Sequence, residues 1–258
     1  MTGTSLPHQF SASPYHEARK NGLKPSILLL HYTDMVSAEV ARQWLCAAES
    51  RVSCHYLVDE AGNIIQMVDE DLRAWHAGAS IWRGLADINS ASICIEVHNV
   101  GHEAGYPDFP AAQMRGVIAL CQDICRRHGI RPERVLAHSD VAPGRKIDPG
   151  EKFDWRLLHE HGVGHWVEPV AIAGGTFLQE GDQGGAVAAL QTALQLYGFG
   201  IEVTGRFDGR CQKVVEAFQR HFRPARVDGV ADQSTIETLF RLAGSVPLAS
   251  GVSSSGTV

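Results

Sequence analysis

Ala137-His138-Ser139-Asp140-Val141-Ala142-Pro143-Gly144-Arg145-Lys146-Ile147-Asp148-Pro149-Gly150 is the stretch on which the rest of this sequence turns. A histidine, a lysine and an aspartate stand in a segment that also holds two prolines and two glycines, so few backbone conformations are open to it. His138 and Asp148 are ten positions apart (148 − 138). That is too far for one helix face and suits a stiff loop that returns two ligands to one point. Neutral imidazole and carboxylate are a common donor pair for zinc, and a zinc site that does chemistry uses three protein ligands and one open position. The third ligand must come from another rigid element. His31, which ends the apolar run Ser26-Ile27-Leu28-Leu29-Leu30, is the candidate.

Working outward, Val135-Leu136-Ala137 reads as a strand feeding His138. Before it, Gln113 to His128 has helical spacing, with Val117, Leu120, Cys121, Ile124 and Cys125 inward and Gly129 as the stop. Ser92-Ile93-Cys94-Ile95-Glu96-Val97 is a strand that is apolar except for Glu96, an unusual residue for a buried position. Cys54 to Asp59 and Ile64 to Val68, joined by Asp59-Glu60-Ala61-Gly62-Asn63, form a hairpin. Ile27 to Leu30 is a buried strand, and Ser37 to Glu49 a helix with Val40, Trp44 and Leu45 on one side. Strands alternating with helices around one hairpin define an α/β domain with a mixed central sheet flanked by helices. It is expected over 24–165, after an irregular lead-in at 1–23.

Residues 166–176 read as a linker, and the composition then changes. Helices are expected at Val187–Gly198, Lys213–His221 and Ser234–Leu242. Gly205-Arg206-Phe207-Asp208 and Gly229-Val230-Ala231-Asp232 recur 24 residues apart (229 − 205), each before a helix. This is a small all-α three-helix domain at 177–243, followed by a flexible tail at 244–258.

The chain has 258 residues, a 44% hydrophobic composition and a net charge of −6. That supports one large or two modest domains and argues against a general nucleic-acid binder. Six cysteines form no C-x-x-C pair and no disulfide framework, so plain buried or half-buried thiols are expected. No apolar run is long enough for a membrane span. Met1 to Lys20 lacks a charged segment followed by an apolar one, so either cytoplasmic action or a route without a cleaved signal is expected.

His31, His138 and Asp148 as metal ligands, Glu96 as proton carrier and Lys146 as oxyanion stabiliser would make a kit for amide hydrolysis. Plainer readings stand beside it. Glu96 could pair with Arg73 or Arg83, and Lys146 with Arg145 could be a solvated basic pair. The tract His159-Glu160-His161 with His165 has the composition of a metal site without a rigid setting.

Leu30-His31-Tyr32, Ser53-Cys54-His55-Tyr56, Ala74-Trp75-His76-Ala77-Gly78, Ile93-Cys94-Ile95-Glu96 and the His138–Gly150 loop resemble the type-2 N-acetylmuramoyl-L-alanine amidases. That family is related to peptidoglycan recognition proteins and some phage endolysins. The resemblance implies one Zn2+ per catalytic domain, held by His31, His138 and Asp148, with Glu96 and Lys146 catalytic. His55, Trp75, His76 and Asn99 would then bind substrate. The implied reaction cuts between the lactyl group of MurNAc and L-Ala of the stem peptide, in peptidoglycan or muropeptides. Cys94 stands where the family usually has Gly. Leu178-Gln179-Glu180-Gly181-Asp182, Tyr197-Gly198, Gly205-Arg206-Phe207-Asp208 and Ala217-Phe218-Gln219 resemble a three-helix peptidoglycan-binding domain. There Cys211 replaces a usual Thr and is expected to weaken a helix cap. Two rivals are a non-catalytic peptidoglycan receptor on the same fold and a cytoplasmic recycling amidase for anhydro-muropeptides. A toxin delivered into competing cells is a third. The wall, in the periplasm or outside the cell, is the expected place of action.

Overall fold

The computed structural model describes residues 2–246. Strands are β1 (Gln9–Phe10), β2 (His16–Ala18), β3 (Ile27–Tyr32), β4 (Tyr56–Val58), β5 (Ile64–Gln66), β6 (Leu72–Ala74), β7 (Ser92–Val97) and β8 (Val135–Ala137). Helices are α1 (Ala38–Cys46), α2 (Ile88–Ala91), α3 (Ala111–His128), α4 (His138–Val141), α5 (Trp155–Glu160), α6 (Gly185–Tyr197), α7 (Gly209–Phe222) and α8 (Gln233–Ser245). The main sheet has the order β1-β5-β4-β7-β3-β8. β4, β7, β3 and β8 run parallel, and β4 and β5 form the expected antiparallel hairpin.

Both faces of the sheet are covered, which is why its strands read as unbroken apolar runs. Leu28, Leu30, Ile93, Ile95 and Val135 pack with Val117, Leu120, Cys121 and Ile124 of α3. The alternate residues Ile27, Leu29, Cys94 and Leu136 face the other way. On that side α1 is capped by Ser37, whose Oγ accepts from the Val40 N–H. Its buried residues are Ala38, Ala41 and Leu45, whereas Val40 and Trp44 are exposed. The expected apolar face of this helix is therefore rotated, with Trp44 left at a rim.

The lead-in is more ordered than its composition suggests. β1 pairs with β5 and β2 with β6. Arg19 donates to the carbonyls of Glu70 (2.7 Å), Ser90 (2.8 Å) and Ser92 (3.0 Å), so it ties the start of the chain to the start of β7.

The C-terminal helices carry the repeat into structure. Gly205 and Gly229 have φ of +70° and +72°. Asp208 caps α7 through the Cys211 N–H (2.9 Å), and Asp232 caps α8 through the Thr235 N–H (2.8 Å). The cap on α7 is thus intact; Cys211 is buried beneath it. Gln191 Oε1 accepts from the N–H groups of Thr204 (2.9 Å) and Gly205 (2.8 Å), and its Nε2 donates to the Arg206 carbonyl (2.9 Å). Gln219 repeats this set on Asp228 (3.0 Å), Gly229 (2.9 Å) and Val230 (2.9 Å). Residues 247–258, most of the expected tail, lie outside the described residues.

One apolar cluster runs from the sheet through Trp82 into Tyr197, Phe199, Phe218 and Phe222 of the helical unit. Trp82 meets Phe199 edge-on, with ring centroids 5.1 Å apart. A Cβ on Gly198 would lie 2.5 Å from the Trp82 ring. Arg83 is held there too, its N–H donating to the Gly198 carbonyl (2.8 Å). The helical unit is therefore packed onto the α/β part. Trp82→Ala is expected to cost about 3–5 kcal/mol, as large aromatic deletions do, in urea unfolding. Thermal unfolding of the full chain should show one transition; two resolved transitions would contradict a shared core.

Candidate active site

Parallel register decides where the site forms. His31 of β3 lies beside Glu96 of β7, and Leu30 beside Ala137 of β8. His138 therefore leaves β8 level with His31. Three neighbouring strands deliver His31, Glu96 and His138 to their carboxyl ends, where open α/β sheets place their ligand sites. The loop after α4 brings back Asp148, and the Ser139 N–H donates to the Asp148 carbonyl (3.1 Å).

His31 Nδ1, His138 Nδ1 and Asp148 Oδ2 stand 2.9, 3.0 and 3.0 Å from one another, and all three residues are buried. The hydrogen-bond network assigns their protons. His138 Nε2–H donates to the Ala77 carbonyl (3.1 Å), which leaves Nδ1 a lone pair. The Ser92 hydroxyl donates to the Ile88 carbonyl (2.7 Å), so its oxygen accepts from His76 Nε2–H (3.1 Å). His76 Nδ1 is then an acceptor and takes the His31 Nε2–H (3.0 Å), leaving His31 Nδ1 a lone pair as well. Burial, then the neighbouring His138, lowers His31 to about 4, so its ring is neutral near pH 7. Three acceptors thus converge on one point with the outer protons already placed, a donor set that fits a metal ion.

His55, His76 and Cys94 form a second cluster of possible ligand atoms. The same accounting removes it. His76 Nε2–H is directed at Ser92, and His55 Nε2–H at the Leu72 carbonyl (3.1 Å). His55 Nδ1 accepts from the Cys94 N–H (3.1 Å). Cys94 takes its place in this packing, and burial raises its thiol well above the usual range.

Glu96 points into the same groove, and its Oε2 is buried without a hydrogen-bond partner among the described residues. Burial, then the nearby Asp148, raises its carboxyl well above the glutamate range, with Lys146 opposing. Arg73 pairs with Glu17 and Asp87 instead of Glu96, and Arg83 is engaged at the junction. Lys146 is exposed on the rim. Arg145 beside it is exposed too, but it is tied to the backbone, its Nε donating to the Ala79 carbonyl (3.1 Å). The groove is about 440 Å³, with Trp44, Leu45 and Val52 forming apolar walls.

Of the residues expected to bind substrate, His76 lines the groove and the others do not. His55 is buried in the bonds just described. Trp75 packs on Tyr15 (5.1 Å between centroids). Asn99 donates to the Pro107 carbonyl (2.9 Å) and accepts from the Gly101 N–H (3.0 Å), so it holds a turn. His159, His161 and His165 bond separately, to Gly164, Leu157 and Tyr197. Tyr32, Trp44 and His102 also line the groove; Tyr32 and Trp44 were not assigned to it from the sequence, and for Tyr32 the signal is its place next to His31. The six cysteines are free thiols, as expected.

A mixed sheet that brings two imidazoles, a carboxylate and an unpaired glutamate to its carboxyl edge defines a hydrolase of the α/β class with a candidate metal centre. The chain belongs to the N-acetylmuramoyl-L-alanine amidase family, which it matches over residues 21–151. Residues 183–239 match the putative peptidoglycan binding domain. The N-acetylmuramoyl-L-alanine amidase AmiD of Escherichia coli is 37% identical over 227 residues, covering 81% of this chain and 79% of that one. The structure of AmiD from E. coli in complex with the substrate anhydro-N-acetylmuramic acid-L-Ala-D-γ-Glu-L-Lys matches with a TM-score of 0.74 at 34% identity, over 88% of this chain and 92% of that one. AmpDh3 of Pseudomonas aeruginosa with anhydromuramic pentapeptide matches with a TM-score of 0.71 at 28% identity, over 90% and 96%. Among the described residues no helix is long and apolar enough to cross a membrane.

The buried imidazoles make stability depend on pH. Burial lowers His31 to about 4 and His55 to about 3, whereas the unfolded chain protonates histidine near pH 6.5. Below about pH 6.5 the unfolded state binds more protons, so stability falls as pH falls toward 4. Urea unfolding of the metal-free protein should lose about 2 kcal/mol per histidine between pH 7.5 and 5.0; an unchanged midpoint would contradict the neutral rings.

Proposed function

We propose that this chain is a zinc-dependent amidase that hydrolyses the bond between the lactyl group of MurNAc and L-Ala in peptidoglycan fragments, anhydro-muropeptides included. The observation that carries it is the convergence of His31 Nδ1, His138 Nδ1 and Asp148 Oδ2 as three lone-pair donors about 3 Å apart. His31, His138 and Asp148 would hold the zinc ion, since neutral imidazole nitrogen and carboxylate oxygen are its common donors. A zinc ion held there supplies a Lewis acid that polarises the amide carbonyl and acidifies water.

The chain's own residues do the rest. Glu96 Oε2, unpaired and raised in pKa, accepts the proton of the attacking water and passes it to the amine of the departing L-Ala. Lys146, exposed at the rim, brings a positive charge to the developing oxyanion. His76 and the Ala77 carbonyl hold the two ligating rings in the required tautomers. The muropeptide substrates named for AmiD and AmpDh3 support the substrate class. The catalytic part spans 24–165. The unit at 177–243 supports anchoring on the polymer, through its match to a peptidoglycan-binding family, which would raise the local substrate concentration.

Mass spectrometry of purified sacculi and of an anhydro-muropeptide, with and without a chelator, tests the reading. Free peptides beginning at L-Ala, lost on chelation and restored by zinc, are expected. Intact glycopeptides with the protein still bound would make it a receptor. Glu96→Gln should retain zinc and lose activity by at least about 100-fold, measured as kcat with zinc content checked by atomic absorption. His138→Ala should lose the metal.

A further inference from the structure

α7 of the helical unit runs along the outside of the loop that carries His138 and Asp148. At one end Arg210 Nη1 donates to the Pro143 carbonyl (3.0 Å) and Nη2 to the Gly200 carbonyl (2.9 Å). A Cβ on Gly144, which has φ +79°, would lie 3.0 Å from Lys213 Cγ, so helix and loop are in direct contact there. At the other end His221 Nδ1–H donates to Asp140 Oδ2 at 2.6 Å. The His221 ring is buried and stacks on Trp155 with centroids 3.8 Å apart.

Asp140 links this contact to the site. It is wholly buried, and the same Oδ2 accepts from the Ala137 N–H (2.8 Å). Ala137 and Asp140 bracket His138, so the carboxylate ties together the backbone on both sides of that residue. The intervening Ser139 N–H holds the Asp148 carbonyl (3.1 Å). The other oxygen, Asp140 Oδ1, has no partner among the described residues. Without His221, the carboxylate would be left buried with one backbone donor, an arrangement that costs free energy and loosens its surroundings.

We infer that His221 is a positioning residue for the metal centre. Acting through Asp140, it sets the backbone from which His138 and Asp148 present their donor atoms, and the docked helical unit is thereby part of the centre as well as an anchor. The inference rests on the reading of His31, His138 and Asp148 as zinc ligands.

The test uses the full chain loaded with zinc and follows release of the ion to a chromogenic chelator. His221→Ala is expected to release zinc about tenfold faster than the wild type. His221→Asn, whose side-chain N–H can replace Nδ1–H, is expected to restore slow release. Val215→Ala, in the buried face of the same helix, should lower the melting temperature and leave release unchanged. Asp140→Asn keeps an acceptor for Ala137 but weakens the bond to His221. It should speed release too, and it decides the matter if His221→Ala does not fold. Wild-type release in His221→Ala or Asp140→Asn, or equal acceleration in Val215→Ala, overturns the proposal. A wild-type chain that takes up no zinc overturns the ligand reading itself, an outcome distinct from these.

Discussion

Parallel pairing of β3 with β7 on one side and β8 on the other is the constraint on which the site depends. In a parallel sheet, side chains at the same register leave neighbouring strands on the same face and at the same height. A shift of one residue in either pairing would send Glu96 or His138 to the α3 side, among Ile95, Val97 and Ala137. The apolar residues flanking these polar ones therefore do positional work. Leu28, Leu30, Ile93 and Ile95 fix the register by filling the face against α3, and His31 and Glu96 are carried along with them.

Proton placement then turns a buried cluster of imidazoles into a ligand set. Two clusters stand within a few ångströms, and they differ in where their hydrogens are directed. Around His55 and Cys94 each lone pair of the rings is already met by an N–H. Around His31 and His138 the N–H groups are drawn outward by His76 and Ala77, so the inner atoms are all acceptors. Ser92, by donating to Ile88, sets the direction of this chain from one end. A residue outside the His31, His138 and Asp148 set thus decides how the lone pairs of two similar groups are directed.

The sequence showed the strands, the hairpin, the long helix and the repeat because each has a local signal, an apolar run, a turn or a Gly stop. The histidine and aspartate of the stiff loop were legible for the same reason, and Glu96 because it interrupts an apolar run. Of the side chains expected to bind substrate, His76 lines the groove and the other three lie outside it. His55, Trp75 and Asn99 are held by partners that include Cys94, Tyr15 and Pro107, and nothing local in the sequence reports such bonds. The face of α1 was misjudged because a groove rim is apolar too, and Trp44 satisfies both descriptions. The docking of the helical unit was the least legible feature. His221 and Asp140 are 81 residues apart, and each looks like an ordinary polar residue of its own segment.

Gly198 closes the seam between the two units with no side chain of its own, and with φ +151° it lies against the face of Trp82. The two surfaces are therefore a matched pair in heredity as well as in space. A helical unit borrowed from a relative that carries any side chain at this position would meet the indole before it could seat. A catalytic part without the indole would offer the borrowed unit a hollow. Shuffling of small domains among enzymes is readily pictured as the joining of beads on a string. Here the seam makes such an exchange a two-sided change, in which donor and acceptor surfaces have to be inherited together.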